Sequence, residues 1–182
     1  HTPIQAKAEK IEKYRAKAEA LGLNQEEALV TGEAFPCEHK KHMRVRRRMF
    51  QSDPVYAAMI ESLDENVGRI LDLLDETGQS DNTLVIFTSD NGGLSTAEGS
   101  PTCNLPLSEG KGWMYEGGTR EPMLARWPGQ IPAGATCRVP TTTPDFYPTF
   151  LDVAGLDPNP DQHLDGVSIL PLLKGGSALD RD

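Results

Sequence analysis

Asp90 and Asn91 close the apolar run LVIFTSDNGG, residues 84–93, and two glycines follow at once. A carboxylate offers anionic oxygen and a carboxamide offers carbonyl oxygen, a donor pair suited to calcium or magnesium rather than to zinc or copper. In open α/β sheets, ligands gather at the carboxyl ends of strands, which is where this pair falls if the run is a strand. Gly92 and Gly93 would let the backbone turn sharply there without a Cβ penalty. A plain turn explains the same letters, because Asn-Gly favours left-handed backbone. Two ligands also leave most of calcium's six to eight oxygen positions unfilled. The choice between turn and metal site therefore depends on what else the chain brings to this strand end.

The elements that must position the pair are partly readable. Thr83 to Thr88 is β-branched and aromatic without alternation, which predicts a strand covered on both faces. Ahead of it, SDPVYAAMIESLDENVGRILDLLDETG predicts a helix capped by Ser52 or Asp53, begun by Pro54 and ended by Gly78. Val55, Met59, Leu63, Val67, Ile70, Leu71 and Leu74 recur along it at helical spacing. Helix, short QSDN turn and buried strand is the rhythm of a layered α/β fold. Farther upstream, Thr2 and Pro3 are suited to start a first helix through IQAKAEKIEKYRAKAEALG, stopped at Gly22; its thin apolar stripe predicts an exposed helix. Residues 24–50 are polar and irregular, and RVRRR at 44–48 reads as a solvated helix face in preference to an anion patch. Downstream, residues 92–118 form a long Gly-, Pro- and Ser-rich stretch of the kind that is either functional or disordered. EPMLARWPG predicts a strand closed by a Pro-Gly turn, TPDFYPTFLDVAGL a short helix, and LDGVSILPLLKGG a turn followed by a helical turn.

A length of 182 residues suits one domain and is short for two. Residues 1–50 are expected to supply the exposed helix and irregular segment, and 51–182 a helix-strand core with an active-site loop. The net charge of −9 argues against a nucleic-acid partner, and no apolar run reaches the length of a membrane span. The opening HTPIQAKAEK lacks the apolar region of a signal peptide. Cys37, Cys103 and Cys137 form no Cys-x-x-Cys pair, which argues against a structural zinc site.

The ordered set TSDNGG, then GKGWMYEGGTREP and RWPG, resembles the sulfatase family, within the alkaline-phosphatase-like superfamily. HTPIQAKAEKIEKY, the long helix leading into DNGG, PDFYPTFLDVAG and LDGVSILPLLKG match it as well, so the resemblance covers most of the chain and is weakest over residues 24–50. It implies an α/β fold: a layered sheet flanked by helices, as a partial alkaline-phosphatase-like sulfatase catalytic domain. By the same resemblance Asp90 and Asn91 are calcium ligands, and Lys111 is the lysine that holds sulfate oxygens. His1 is the histidine that contacts the sulfate ester and protonates its leaving oxygen. The chemistry suits those types. Negative charge gathers on the leaving oxygen as the S–O bond breaks, and a fixed cation and a proton donor both stabilise that state. Imidazole, with an ordinary pKa of about 6.5, can hold or release a proton near neutrality. The resemblance also implies calcium and formylglycine as cofactors, an aryl or carbohydrate sulfate ester as substrate, and a periplasmic or secreted compartment.

Other charged residues read as structural. Glu116 and Arg120 are expected to brace the loop by a salt bridge, Asp145 to sit near a helix start and Asp165 in an Asp-Gly turn. His39, His42 and His163 have no spacing that suggests metal. The family's formylglycine arises from Cys or Ser in Cys/Ser-x-Pro-x-Arg, and none of the three cysteines begins such a run. SDPVY at Ser52 is the nearest approach, with Tyr56 where arginine is required, and no Asp-Asp pair supplies further calcium ligands. The expectation is the later part of a sulfatase catalytic domain, missing its N-terminal half as partner, inactive alone and weak in calcium binding. Two alternatives stand beside it. One is a phosphoesterase or phosphonate hydrolase of the same superfamily, although those more often place Asp-His-Gly at this strand end. The other is a non-catalytic sulfated-glycan-binding remnant, for which RVRRR is the specific support.

Overall fold

A computed structural model describes residues 3–23, 27–97 and 99–181. In chain order the elements are α1 (Ala8–Ala20), β1 (Leu29–Ala34), β2 (Arg44–Arg48), α2 (Pro54–Glu76), β3 (Val85–Thr88), α3 (Glu116–Thr119), β4 (Met123–Arg126), α4 (Phe146–Ala154) and α5 (Leu170–Leu173), with short 3₁₀ turns between them. The class is α/β as expected, and its strands form two two-stranded sheets, β1–β2 and β3–β4. The chain divides into two compact units, His1–Leu73 with Thr88–Met123, and Leu74–Phe87 with Leu124–Asp182.

In the first unit, α2 begins where its sequence dictates. The Oδ1 of Asp53 accepts the backbone N–H groups of Val55 and Tyr56, both at 2.9 Å, so Asp53 and not Ser52 is the cap. Ser52 instead accepts a hydrogen bond from the Arg48 guanidinium at 2.6 Å. Asp53→Ala should cost about 1–2 kcal/mol of stability, and Asp53→Asn, which keeps the capping oxygen, should recover most of it. Chemical denaturation of the two variants checks this; equal losses would assign the effect to the 3.7 Å Arg48–Asp53 ion pair instead.

Three expectations change. The first helix begins at Ala8, not at Pro3, because Lys7 is extended and its carbonyl accepts the first helical bonds, from Lys10 and Ile11 at 3.1 Å; the cap expected at Thr2 lies outside the described residues. The stretch RVRRR is strand β2, not a helix face, paired antiparallel with β1. It is also not simply solvated: Val45 is fully buried and Arg48 is 5% exposed. Finally, β3 is Val85–Thr88 rather than Thr83–Thr88, and Phe87 and Thr88 are exposed. Phe87 is 39% exposed, and Leu124 on β4 is 68% exposed. The apolar stripe of α2 shows the same pattern, with Leu63 and Ile70 largely open. These are core-type surfaces left without a covering layer.

The second unit is organised around Asp145, which is fully buried. It closes a capping box with Thr142 and also accepts the backbone N–H of Val167 at 3.0 Å and a hydrogen bond from Arg181 at 2.6 Å. Thr149, one turn into α4, donates to the Asp145 carbonyl at 2.6 Å and accepts the N–H of Ile169 at 2.9 Å. Ile169, Leu172 and Leu173 are the apolar core beneath.

Candidate functional site

The strand end is built by local bonds. Thr88 donates to the Pro122 carbonyl at 3.1 Å, and Ser89 donates to the Asn91 carbonyl at 2.7 Å. The glycines that follow serve a different purpose from the one the sequence suggests. Neither has positive φ. They are needed for close approach: a Cβ on Gly92 would lie 1.8 Å from the Gly117 carbonyl oxygen, and one on Gly93 would lie 2.5 Å from the Thr102 hydroxyl. The Gly92 N–H also reaches the Gly118 carbonyl at 3.3 Å. The strand end is thus pressed flat against the Glu116–Thr119 helical turn.

Asn104 locks this arrangement. Its amide nitrogen donates to the carbonyls of Gly93 at 3.0 Å, Glu109 at 2.9 Å and Gly117 at 3.3 Å. One side chain therefore ties together the strand-end turn, the approach to Lys111 and α3. The Lys111 N–H adds a bond to the Gly93 carbonyl at 3.1 Å. The stretch that read as either functional or disordered is held in place. Arg48 donates to the Ser100 carbonyl at 2.6 Å, and Trp113 donates to the Thr96 hydroxyl at 2.9 Å.

Asp90, Asn91 and Lys111 line one open cleft of about 560 Å³, together with Arg120 and Glu121. The expected Glu116–Arg120 bridge is present at 3.2 Å, and both its members are exposed; such a pair contributes little to stability. His1 lies outside the described residues. Asp165 pairs with His163 at 3.0 Å on the surface, away from any role in the cleft lining. Sequence reasoning missed Asn104 and Glu121. The only signal for Glu121 was its place in TREP, and Asn104 had none, because its three partners are scattered over the loop.

Glu121 tests whether a cation fits. One of its carboxylate oxygens is buried without a hydrogen-bond partner. Burial first, and then the negative charge of Asp90, push its carboxyl above the usual range, while a hydrogen bond from Ser89 opposes them. The orphaned Glu121 oxygen, close enough to Asp90 to feel its charge, is one that a hard cation on Asp90 and Asn91 would help to satisfy. The Asn91 amide nitrogen donates to the Gly92 carbonyl at 3.1 Å, which leaves its carbonyl oxygen as the group able to serve a cation. Among the described residues no cluster of three or more His, Cys, Asp or Glu side chains is arranged to hold a metal. Asp90 and Asn91 offer two oxygen donors of the kind calcium takes, fewer than its usual six to eight.

Ser52 does not fit the role of a converted nucleophile. It is 6% exposed, held by Arg48, and stands at the entry to α2.

The sulfatase family model matches residues 1–156. The N-acetylgalactosamine-6-sulfatase of Canis lupus familiaris is 42% identical over 127 residues, covering 69% of this chain and 24% of that protein. The crystal structure of Ps i-CgsB in complex with k-i-k-neocarrahexaose superposes with a TM-score of 0.70 at 34% identity, over 97% of this chain and 32% of that one. The structure of BT4656 in complex with its substrate, D-glucosamine-2-N,6-O-disulfate, gives a TM-score of 0.57 at 34% identity, over 70% of this chain and 24% of that one. The chain spans about a quarter of the length of the curated relatives it matches.

Proposed function

The chain belongs to the sulfatase family, and we propose that it supplies the calcium-binding and sulfate-holding side of a sulfuric ester hydrolase active site. The observation that carries this reading is that Asp90, Asn91 and Lys111, from two separate runs of the chain, line one cleft. Asp90 and Asn91 would hold calcium, with the free oxygen of Glu121 adding to the negative field around it. Calcium bound there would supply a positive charge that polarises a sulfate oxygen. Lys111 grips the sulfate oxygens and stabilises negative charge as the ester S–O bond lengthens, and His1 gives its proton to the leaving oxygen. The attacking group is assigned to no residue of this chain, since Cys/Ser-x-Pro-x-Arg does not occur in it. It would come from the rest of a sulfatase catalytic domain, of which this chain is the later portion. The open apolar faces of α2, β3 and β4, at Leu63, Ile70, Phe87 and Leu124, support such a covering partner.

The substrate class proposed is a sulfated carbohydrate. The dog relative is an N-acetylgalactosamine-6-sulfatase, and BT4656 was solved with a disulfated glucosamine. The phosphoesterase alternative is disfavoured by Asn91, since imidazole at this strand end is what suits a transition metal. The glycan-binding remnant loses its main support: Arg47 and Arg48 are spent on internal partners, which leaves only Arg44 and Arg46 of the run exposed.

Steady-state assays of the full-length protein on matched aryl sulfate and aryl phosphate test this. The sulfate should turn over faster, and chelation of calcium should abolish the reaction, with calcium restoring it. Faster phosphate turnover, or full activity in the presence of chelator, would overturn the reading.

A further inference from the structure

We propose that Arg47 is a positioning residue for Lys111, acting through Glu109; this rests on the reading of Lys111 as the sulfate-holding cation. Arg47 lies on β2 opposite Val30. Its Nε donates to both carboxylate oxygens of Glu109, at 3.0 and 3.1 Å, and its Nη2 adds a contact to Glu109 Oε1 at 2.5 Å. The other edge of the guanidinium donates to Glu33 on β1 at 2.7 and 3.1 Å. A planar fork can serve two carboxylates in this way, and a point-charge ammonium cannot.

What makes the pair consequential is the backbone of Glu109. Its φ is +62°, a region that side chains bearing a Cβ disfavour. The Glu109 carboxylate is only 11% exposed. Its carbonyl accepts the Asn104 amide at 2.9 Å, and Gly117 passes so near that a Cβ there would lie 2.3 Å from the same oxygen. Two residues later the Lys111 N–H meets Gly93. Arg47 thus anchors the side chain of the residue whose unusual backbone steers the chain into Lys111. It also neutralises a carboxylate that is largely buried. Hydrogen bonding to Arg47 holds the Glu33 carboxyl down at about 2, so the outer clasp stays charged well into the acid range.

A double-mutant cycle in the full-length protein, with an aryl sulfate as probe, tests the proposal. Arg47→Met should lower kcat/KM by about tenfold or more when Lys111 is present, as expected for a small displacement of a reacting-site group. In a Lys111→Ala background the same change should have almost no further effect. A purely structural role for Arg47 predicts equal losses in both backgrounds, and that result would overturn the proposal, as would no loss in either. If Arg47→Met does not fold, Arg47→Lys carries the same comparison, since it keeps one charge and loses the two-sided clasp. Failure of the underlying reading is separately visible: Lys111→Ala alone would then leave activity unchanged.

Discussion

Replacing Lys111 with alanine in the full-length protein should lower kcat/KM for an aryl sulfate by about 10²–10³, the size expected on deleting one preorganised group that meets charge developing in the transition state. The side chain is exposed and lines the cleft, and among the described residues its ammonium has no ion-pair partner. Its structural contribution is the backbone N–H bond to Gly93, which every substitution except proline retains. Stability should therefore move by no more than about 0.5 kcal/mol, as for other surface changes. Lys111→Arg, which keeps the charge and changes its shape and reach, should recover part of the rate and not all of it. Kinetics and a urea midpoint on each variant decide the matter. A loss of less than about threefold for Lys111→Ala, or a loss that simply follows unfolding, would remove Lys111 from the machinery.

How far the sequence could go is clearest at this cleft. Asp90, Asn91 and Lys111 sit in contiguous, chemically distinctive runs, and their types alone suggest hard-cation and anion chemistry. The groups that place them are different. Asn104 matters because carbonyls from residues 93, 109 and 117 converge on one amide, and no local pattern announces a convergence. Glu121 matters because one of its oxygens is buried beside Asp90, a fact about tertiary packing. Even Gly92, correctly singled out, was needed for a different reason: contact with Gly117, not a left-handed turn.

The fold divides along the same line. The long helix α2 was legible because cap, first-turn proline and apolar period are all local, and Asp53 caps it as its position implies. Strands β1 and β2 were opaque. Their burial follows no clean alternation, and a run of four arginines in five residues has the composition of a solvated surface. Those arginines are tolerated in a strand because their partners come from elsewhere. Glu109 is 62 positions from Arg47, and the Ser100 carbonyl is 52 from Arg48. Long-range compensation of this kind leaves no periodic trace. The open faces of β3 and β4 carry the converse lesson. Residues of core type predicted burial, and the described residues do not provide it.

The second large effect concerns stability and belongs to Asp145. Asp145→Ala should cost about 3 kcal/mol, because it removes a buried, charge-assisted acceptor and strands two backbone donors at once. Those donors are the N–H groups of Thr142 and Val167, and Arg181 loses its partner with them. A loss of that size corresponds to a fall in melting temperature of roughly 10 °C for a chain of this length. The pH dependence identifies the cause. Burial alone would raise the Asp145 carboxyl, but the Thr142 and Val167 N–H groups and then Arg181 more than offset it, so the group titrates below its ordinary value. A carboxyl depressed by folding contributes its full stability above the unfolded pKa, about 3.9, and loses it as pH falls toward the lower folded value. The wild-type chain should therefore weaken steeply below about pH 4. Asp145→Asn should be less stable at neutral pH and should show a shallower acid limb, because the titrating group is gone while an amide oxygen still accepts one N–H. Denaturant midpoints of both proteins between neutrality and pH 3 measure the difference; parallel acid limbs would mean that the clamp on the Val167 turn is not electrostatic.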